Sequence, residues 1–226
     1  MRSKRPLIGP SRAALAALAA GALLAACSGG ADDLPAADEA MPSAAAAMAE
    51  VESVHFELAV DGDVEGLAVK SADGVVTADG SAEGTGTITA LGMDLEVEYT
   101  IIGERAYVKG LTGGYQEIPV GDEMLPYDPT VLLDPDRGIA ALLEAVESAT
   151  PEDTETVDGV DAYRYEVVFE PAAFAEFLPA AGDWNTATVW LDQEHLRVVK
   201  AEFAQGDATV TMTFDEYDEP VEIVAP

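Results

Sequence analysis

The sequence has one cysteine, two histidines and 11 basic residues in a chain of 226. A single cysteine excludes an internal disulfide framework and any zinc site built on several thiolates. Two histidines leave little for histidine-based metal or acid–base chemistry. The 11 bases face 43 acids, a formal charge of −32, so no nucleic-acid partner is expected. Phe, Trp and Tyr are only 7% of the chain. Rings alone therefore cannot fill a large core. No apolar run reaches the ~20 residues of a membrane-spanning helix. What is present is 49% apolar and 24% charged residues, the balance of a globular chain rather than a disordered one. The length suits one domain, or at most two small ones.

The N-terminus reads as an export signal. Arg2, Lys4, Arg5 and Arg12 form a positive segment before the alanine-rich apolar run Ala13 to Ala26, which is too short to span a bilayer. Leu24-Ala25-Ala26-Cys27, followed by Ser28-Gly29-Gly30, resembles the bacterial lipobox. In that motif the cysteine is lipidated on sulfur and becomes the first residue after cleavage. Residues 1–26 are thus expected to be a lipoprotein signal peptide and Cys27 the lipidation site. Residues 27–44, mostly Gly, Ala, Asp, Pro and Ser, read as a flexible tether, and 45–226 as the folded domain. Cleavage would leave seven bases against 43 acids, a charge of −36. Two or more acyl chains anchor stably where one does so only marginally. The expected location is the outer face of the cytoplasmic membrane, lipid-anchored and facing the cell wall.

Beyond the tether, a run of helix formers predicts a first helix from about Pro42 to Ser53. Alternating patterns then dominate. Phe56, Leu58 and Val60 alternate with polar or small residues, as do Met93 through Ile101, Tyr163 through Phe169 and Ala208 through Phe214. Each reads as a half-buried antiparallel strand. Glycines at 62, 74, 80, 92, 103, 113–114, 159 and 206 are expected to make turns, giving roughly nine strands. Asp136 opens a helix whose apolar stripe is Ile139, Leu142, Leu143 and Val146, and Pro171 starts a short one. The order helix, strands, helix, strands, short helix, strands predicts an α+β fold, with helices on one face of an antiparallel sheet.

Enzyme chemistry is not visible. There is no G-x-S-x-G nucleophile motif, and His55 and His195 sit at strand starts among ordinary pattern residues. With 43 acids, carboxylate pairing carries no information. Asp61 to Gly66 resembles half of a calcium loop, but Ala72 stands where a bidentate Glu is required, so a turn is favoured. Asp215-Glu216 and Asp218-Glu219 read as a solvated face. No catalytic residue, metal site or cofactor is expected.

Several segments resemble an actinobacterial lipoprotein family, the LppX/LprA/LprF/LprG group. They include SVHFELAVDGDVEGLAVKSADG (53–74) and the stretches 84–110, 126–146, 157–171, 187–203 and 210–226. The most distinctive piece is Tyr127-Asp128-Pro129, then Leu132-Leu133, Pro135 and Gly138. The resemblance covers nearly the whole chain from about residue 50, plus the lipobox. It implies a strongly curved antiparallel half barrel, LolA/LolB-like, with helices packed on the concave face. It also implies a non-enzymatic carrier. Such a carrier holds acylated lipids or glycolipids in a hydrophobic cavity and moves them from the cytoplasmic membrane toward the outer envelope. Implied partners are an acyl lipid or glycolipid, the cytoplasmic membrane through the anchor, and a membrane lipid exporter.

Elementary physics agrees with enclosure. At ~0.8 kcal/mol per methylene, holding a 16-carbon chain in water costs on the order of 13 kcal/mol. Sequence alone leaves a packed core and a cavity equally open; the resemblance favours the cavity. Alternation nominates Ile88, Leu95, Val97 and Tyr99 on strands as lining residues. Leu132, Leu133, Leu142, Leu143 and Val146 are nominated on a covering helix. The acidity departs from the family pattern. It should repel phosphorylated headgroups unless Arg105, Lys109, Arg137, Arg164, Arg197 and Lys200 cluster at the mouth or divalent cations bridge. Alternatively it is a solubility adaptation to a salty habitat. The competing reading is an envelope scaffold or protein-binding lipoprotein without lipid transport.

Overall fold

The computed structural model describes residues 34–226, apart from 65, 91, 111–112, 123–124, 126 and 180–183. The signal segment, Cys27 and the start of the tether lie outside the described residues. Helix α1 (Ala37–Ala49) leads into a six-strand meander: β1 (Ser53–Asp61), β2 (Val69–Thr77), β3 (Ser81–Ala90), β4 (Met93–Ile102), β5 (Arg105–Lys109) and β6 (Tyr115–Pro119). A 3-10 helix (Pro129–Leu133) and α2 (Ile139–Glu144) follow, then β7 (Val146–Val157) and β8 (Val160–Phe169). Helix α3 (Pro171–Phe177) precedes β9 (Thr186–Asp192), β10 (Val198–Gln205) and β11 (Ala208–Asp215). All eleven strands form one curved, unclosed antiparallel sheet in the order β6-β5-β4-β3-β2-β1-β11-β10-β9-β8-β7. The chain starts mid-sheet and walks out to β6. It crosses the concave face through the 3-10 helix and α2, then walks back from β7 to close against β1. This is the expected α+β order and half-barrel class.

The predicted alternation sets the faces. On β1, Val54, Phe56 and Leu58 are buried while Glu57 and Ala59 are exposed, and on β11 Ala208, Val210, Met212 and Phe214 are buried. These join residues from α1, α2, α3 and the 3-10 helix in a single core. A second, small cluster of Ala162, Trp190 and Val199 is separate from that core; Trp190 donates to Glu155 at 2.9 Å and Lys200 Nζ lies 4.4 Å above its ring.

Three boundaries differ from the sequence reading. The first helix starts at Ala37, not near Pro42, so residues 37–44 are helical rather than tether. Pro42 lacks an N–H to give. Its cost is offset because Ala40, Met41, Ala44, Ala45 and Met48 are buried, and Asp38 and Glu39 complement the helix dipole. Next, the single covering helix is two elements. Pro135 cannot continue a helix, and Gly138 folds back so tightly that a Cβ there would lie 2.4 Å from the Asp134 carbonyl. Leu132 and Leu133 therefore sit on the 3-10 helix, Leu142 and Leu143 on α2, and Val146 begins β7. Lastly, β7 itself (VESATPEDTETV) lacks alternation because it is a polar edge strand, bulged around Pro151.

Candidate functional site

The two halves of the sheet enclose different spaces beneath the helices. On the β1–β5 side, Phe56, Gly74, Gly84, Tyr99 and Val108 form one cross-strand row, and Leu58, Ala72, Gly86 and Val97 run alongside. Gly74, expected at a turn, is instead a buried residue in the middle of β2. Three glycines thus leave a floor with no side chains. Tyr99 lies across it: a Cβ on Gly74 would come 2.5 Å from the Tyr99 hydroxyl, and one on Gly84 would come 2.6 Å from it. Glycine in a strand interior marks such close approach.

Above this floor is an apolar cavity of about 20 Å³, walled by Val69, Ile88, Val97, Tyr99, Leu125, Tyr127 and Pro129. Asp128 caps the 3-10 helix that covers it, accepting from Thr130 N at 3.0 Å and Thr130 Oγ1 at 2.6 Å; Pro129 suits its first position. On the β8–β11 side a second apolar cavity of about 20 Å³ lies under Ile139, Leu142, Leu143 and Phe177, against Phe169, Phe203, Met212 and Phe214. Both are far below the ~300–1,000 Å³ of ordinary ligand pockets.

The nominated residues divide accordingly. Ile88, Val97 and Tyr99 wall the first cavity, and Leu142 and Leu143 the second. Leu132 is fully buried; Leu95, Leu133 and Val146 are half-buried against the core, and these four wall neither space. Leu125, Tyr127 and the phenylalanines were not nominated. They lie off the chosen strands, in a loop, on α3 and in the other half of the sheet.

A comparison with known families matches residues 36–223 to the LppX_LprAFG lipoproteins. The chain belongs to that family. It is 31% identical over 219 residues to the lipoarabinomannan carrier protein LprG of Mycolicibacterium hassiacum, covering 92% of this chain and 94% of that one. The LprG protein of Mycobacterium leprae, of the same name, is 28% identical, covering 91% and 90%. Among solved structures, LprF of Mycobacterium bovis superposes with a TM-score of 0.74 at 21% identity, over 85% of this chain and 98% of that one. LppX of Mycobacterium tuberculosis gives 0.62 at 22%, over 84% and 99%. These two establish the fold.

This LppX_LprAFG chain commits its cations elsewhere than its cavities. Arg105 pairs with Glu117 at 2.9 Å, Lys109 with Glu98 at 2.8 Å, Arg137 with Asp134 at 3.1 Å and Arg164 with Glu152 at 3.1 Å. Arg197 pairs with Asp218 at 2.6 Å, Lys200 with Glu202 at 3.2 Å and Lys70 with Asp63 at 3.5 Å. Those are all the bases that follow the lipobox, and among the described residues none walls either apolar space. His55 Nδ1 lies 2.6 Å from Asp215 Oδ1, with Asp73 3.6 Å from its other nitrogen. Partial burial opposes the imidazolium, but the Asp215 hydrogen bond and the charges of Asp215, Asp73 and Glu216 outweigh it, so the pKa is raised. His195 stands in the β9–β10 connection beside Asp192, at 3.5 Å. Among the described residues no helix is long and apolar enough to cross a membrane.

Proposed function

We propose that the protein is a lipid carrier that encloses the acyl chains of an uncharged lipid or glycolipid between its sheet and its helices. The observation that carries this reading is the apolar concave face. It is covered by helices of 5, 6 and 7 residues as well as the longer α1, with two apolar spaces left beneath them. Short helices that bury only a few side chains each can lift at modest cost. A second sheet could not. The glycine floor then becomes a groove that accepts a hydrocarbon chain without displacing side chains. The name borne by the LprG relatives supports a lipid-linked ligand. The pairing of every base with an acid supports a headgroup without phosphate.

In this reading residues 1–26 are a signal peptide and Cys27 carries the acyl anchor. The protein works at the outer face of the cytoplasmic membrane, passing lipid from a membrane exporter toward the outer envelope. It performs no catalysis. Ile88, Val97, Tyr99, Leu142 and Leu143 contact the chains, and Leu95, Leu132, Leu133 and Val146 join them when the helices lift.

The test is native mass spectrometry of the full chain carrying Cys27→Ser, incubated with a neutral lipid extract. The expected result is a mass increment equal to an acyl lipid, lost in Val97→Trp and Ile88→Trp. A bare polypeptide mass after incubation would overturn the carrier reading and leave a protein-binding envelope lipoprotein.

A further inference from the structure

Tyr99, Tyr127 and Tyr165 are buried and Tyr217 is half-buried, and two of these four hydroxyls are satisfied within the protein. Tyr165 donates to the Pro35 carbonyl at 3.0 Å, and Tyr217 donates to the Val198 carbonyl. The other two, Tyr99 and Tyr127, are 4% and 9% exposed, and neither hydroxyl finds a partner among the described residues. Both wall the same cavity, the one over the glycine floor. Buried hydroxyls are nearly always hydrogen-bonded, because leaving one unmade costs its full desolvation. Two exceptions in one wall, on elements 28 positions apart in sequence, call for a common acceptor.

We propose that the Tyr99 and Tyr127 hydroxyls are a donor pair for the ester carbonyl oxygens at the head of the bound lipid's acyl chains. This rests on the carrier reading above. The rest of the wall explains the choice of acceptor. Among the described residues it is aliphatic apart from the exposed Ser71, and none of those walling it is charged. A phosphate or carboxylate buried there would stand without a counter-ion, at a cost far above that of a neutral group. The nearby carboxylate of Asp128 is held by Thr130, and every base following the lipobox is paired on the surface. Burial, with Asp73 near one and Asp128 near the other, pushes both phenols well above their ordinary range. They remain O–H donors at any physiological pH. An ester carbonyl is uncharged, accepts through two lone pairs and arrives joined to hydrocarbon. It therefore satisfies the hydroxyls while the chain fills the apolar space.

The experiment compares 1,2-dipalmitoylglycerol with its diether analogue, 1,2-dihexadecylglycerol, which has the chains but no carbonyls. Binding is measured by displacement of a fluorescent fatty-acid probe from the full chain carrying Cys27→Ser. The variants Tyr99→Phe, Tyr127→Phe and the double change keep both rings. The native pair should favour diester over diether, and each Phe change should cut that preference about fivefold, with diether affinity unchanged. In the lipid-free protein the melting temperature of each Phe variant should hold or rise, since a hydroxyl without a partner has been removed. Equal binding of the two lipids by the native pair would overturn the donor pair alone. So would a diester preference that survives the double change, or a fall in lipid-free melting temperature with preference intact, the mark of hydroxyls serving the fold. Failure to bind either lipid would overturn the carrier reading, and the donor pair with it.

Discussion

The two halves of the sheet share one strand pair and differ in what paves them. From β1 toward β4 the inner row next to Leu58 runs Ala72, Gly86, Val97; from β11 toward β8 it runs Met212, Ala201, Val189, Tyr165. The first half has its glycine floor under one tyrosine. The second stacks Phe169 on Phe174 at 5.9 Å, with Phe203 tilted against Phe174 at 5.2 Å. Both halves keep an apolar space of about 20 Å³ under the helices, one over a floor of glycines and the other against aromatic rings. Of the six phenylalanines, all but Phe56 lie in the second half, so the few rings of the chain are concentrated there.

That division predicts unequal responses to mutation. Phe174→Ala, deep in the ring stack, should cost ~3–5 kcal/mol as a large-to-small core change, seen as a lower urea midpoint. A loss below 1 kcal/mol would mean the stack does not hold that half. In the glycine half the sign of the size change reverses. Gly84→Ala would bring a Cβ to 2.2 Å from the Asp73 carbonyl and 2.6 Å from the Tyr99 hydroxyl. Overpacking of this kind should cost ~1–3 kcal/mol, read from the same unfolding curve. One row away, a Cβ on Gly86 meets nothing nearer than the Ser71 carbonyl at 3.1 Å. Gly86→Val should cost less stability than Gly84→Ala, about 1 kcal/mol at the low end of overpacking, yet lower lipid loading severalfold by occupying the groove. Unchanged loading would remove the floor from the site.

The smallest expected effect is on pH dependence at the outer face of the shared strand. The raised pKa of His55 means the folded state holds the proton more tightly. The stability it contributes is fully present below pH ~6.5, the ordinary imidazole value. It fades as pH rises through the higher folded-state value. Melting temperature should therefore decline slightly over that window, and Asp215→Asn should flatten the decline. A slope unchanged by Asp215→Asn would assign it to other groups.

Much of this was legible beforehand. Strands with one clean alternating face, such as Phe56-Leu58-Val60 and Val210-Met212-Phe214, point inward as read, because the side-chain period of two leaves only one way to bury them. Polar edge strands were not legible: β7 has no fully buried residue and only Val146 and Ala149 half-buried against the core, so its pattern does not distinguish it from a loop. Gly74 was misplaced for a related reason. A glycine signals freedom of the backbone in a turn and closeness of a neighbour in a strand with the same letter. The Tyr127-Asp128-Pro129 segment stood out by resemblance, but its role did not, since a loop residue has no periodicity to aim it.

The sequence by itself determined the family, the α+β order and the inward faces, because these follow from local periodicity and from motifs written in consecutive residues. Only the tertiary structure decided that the glycines of β2 and β3 lie side by side, that Tyr99 covers them, and that Tyr99 and Tyr127 meet in one wall. Those contacts join residues whose proximity depends on strand register and on where the chain recrosses the sheet, and no local pattern encodes either.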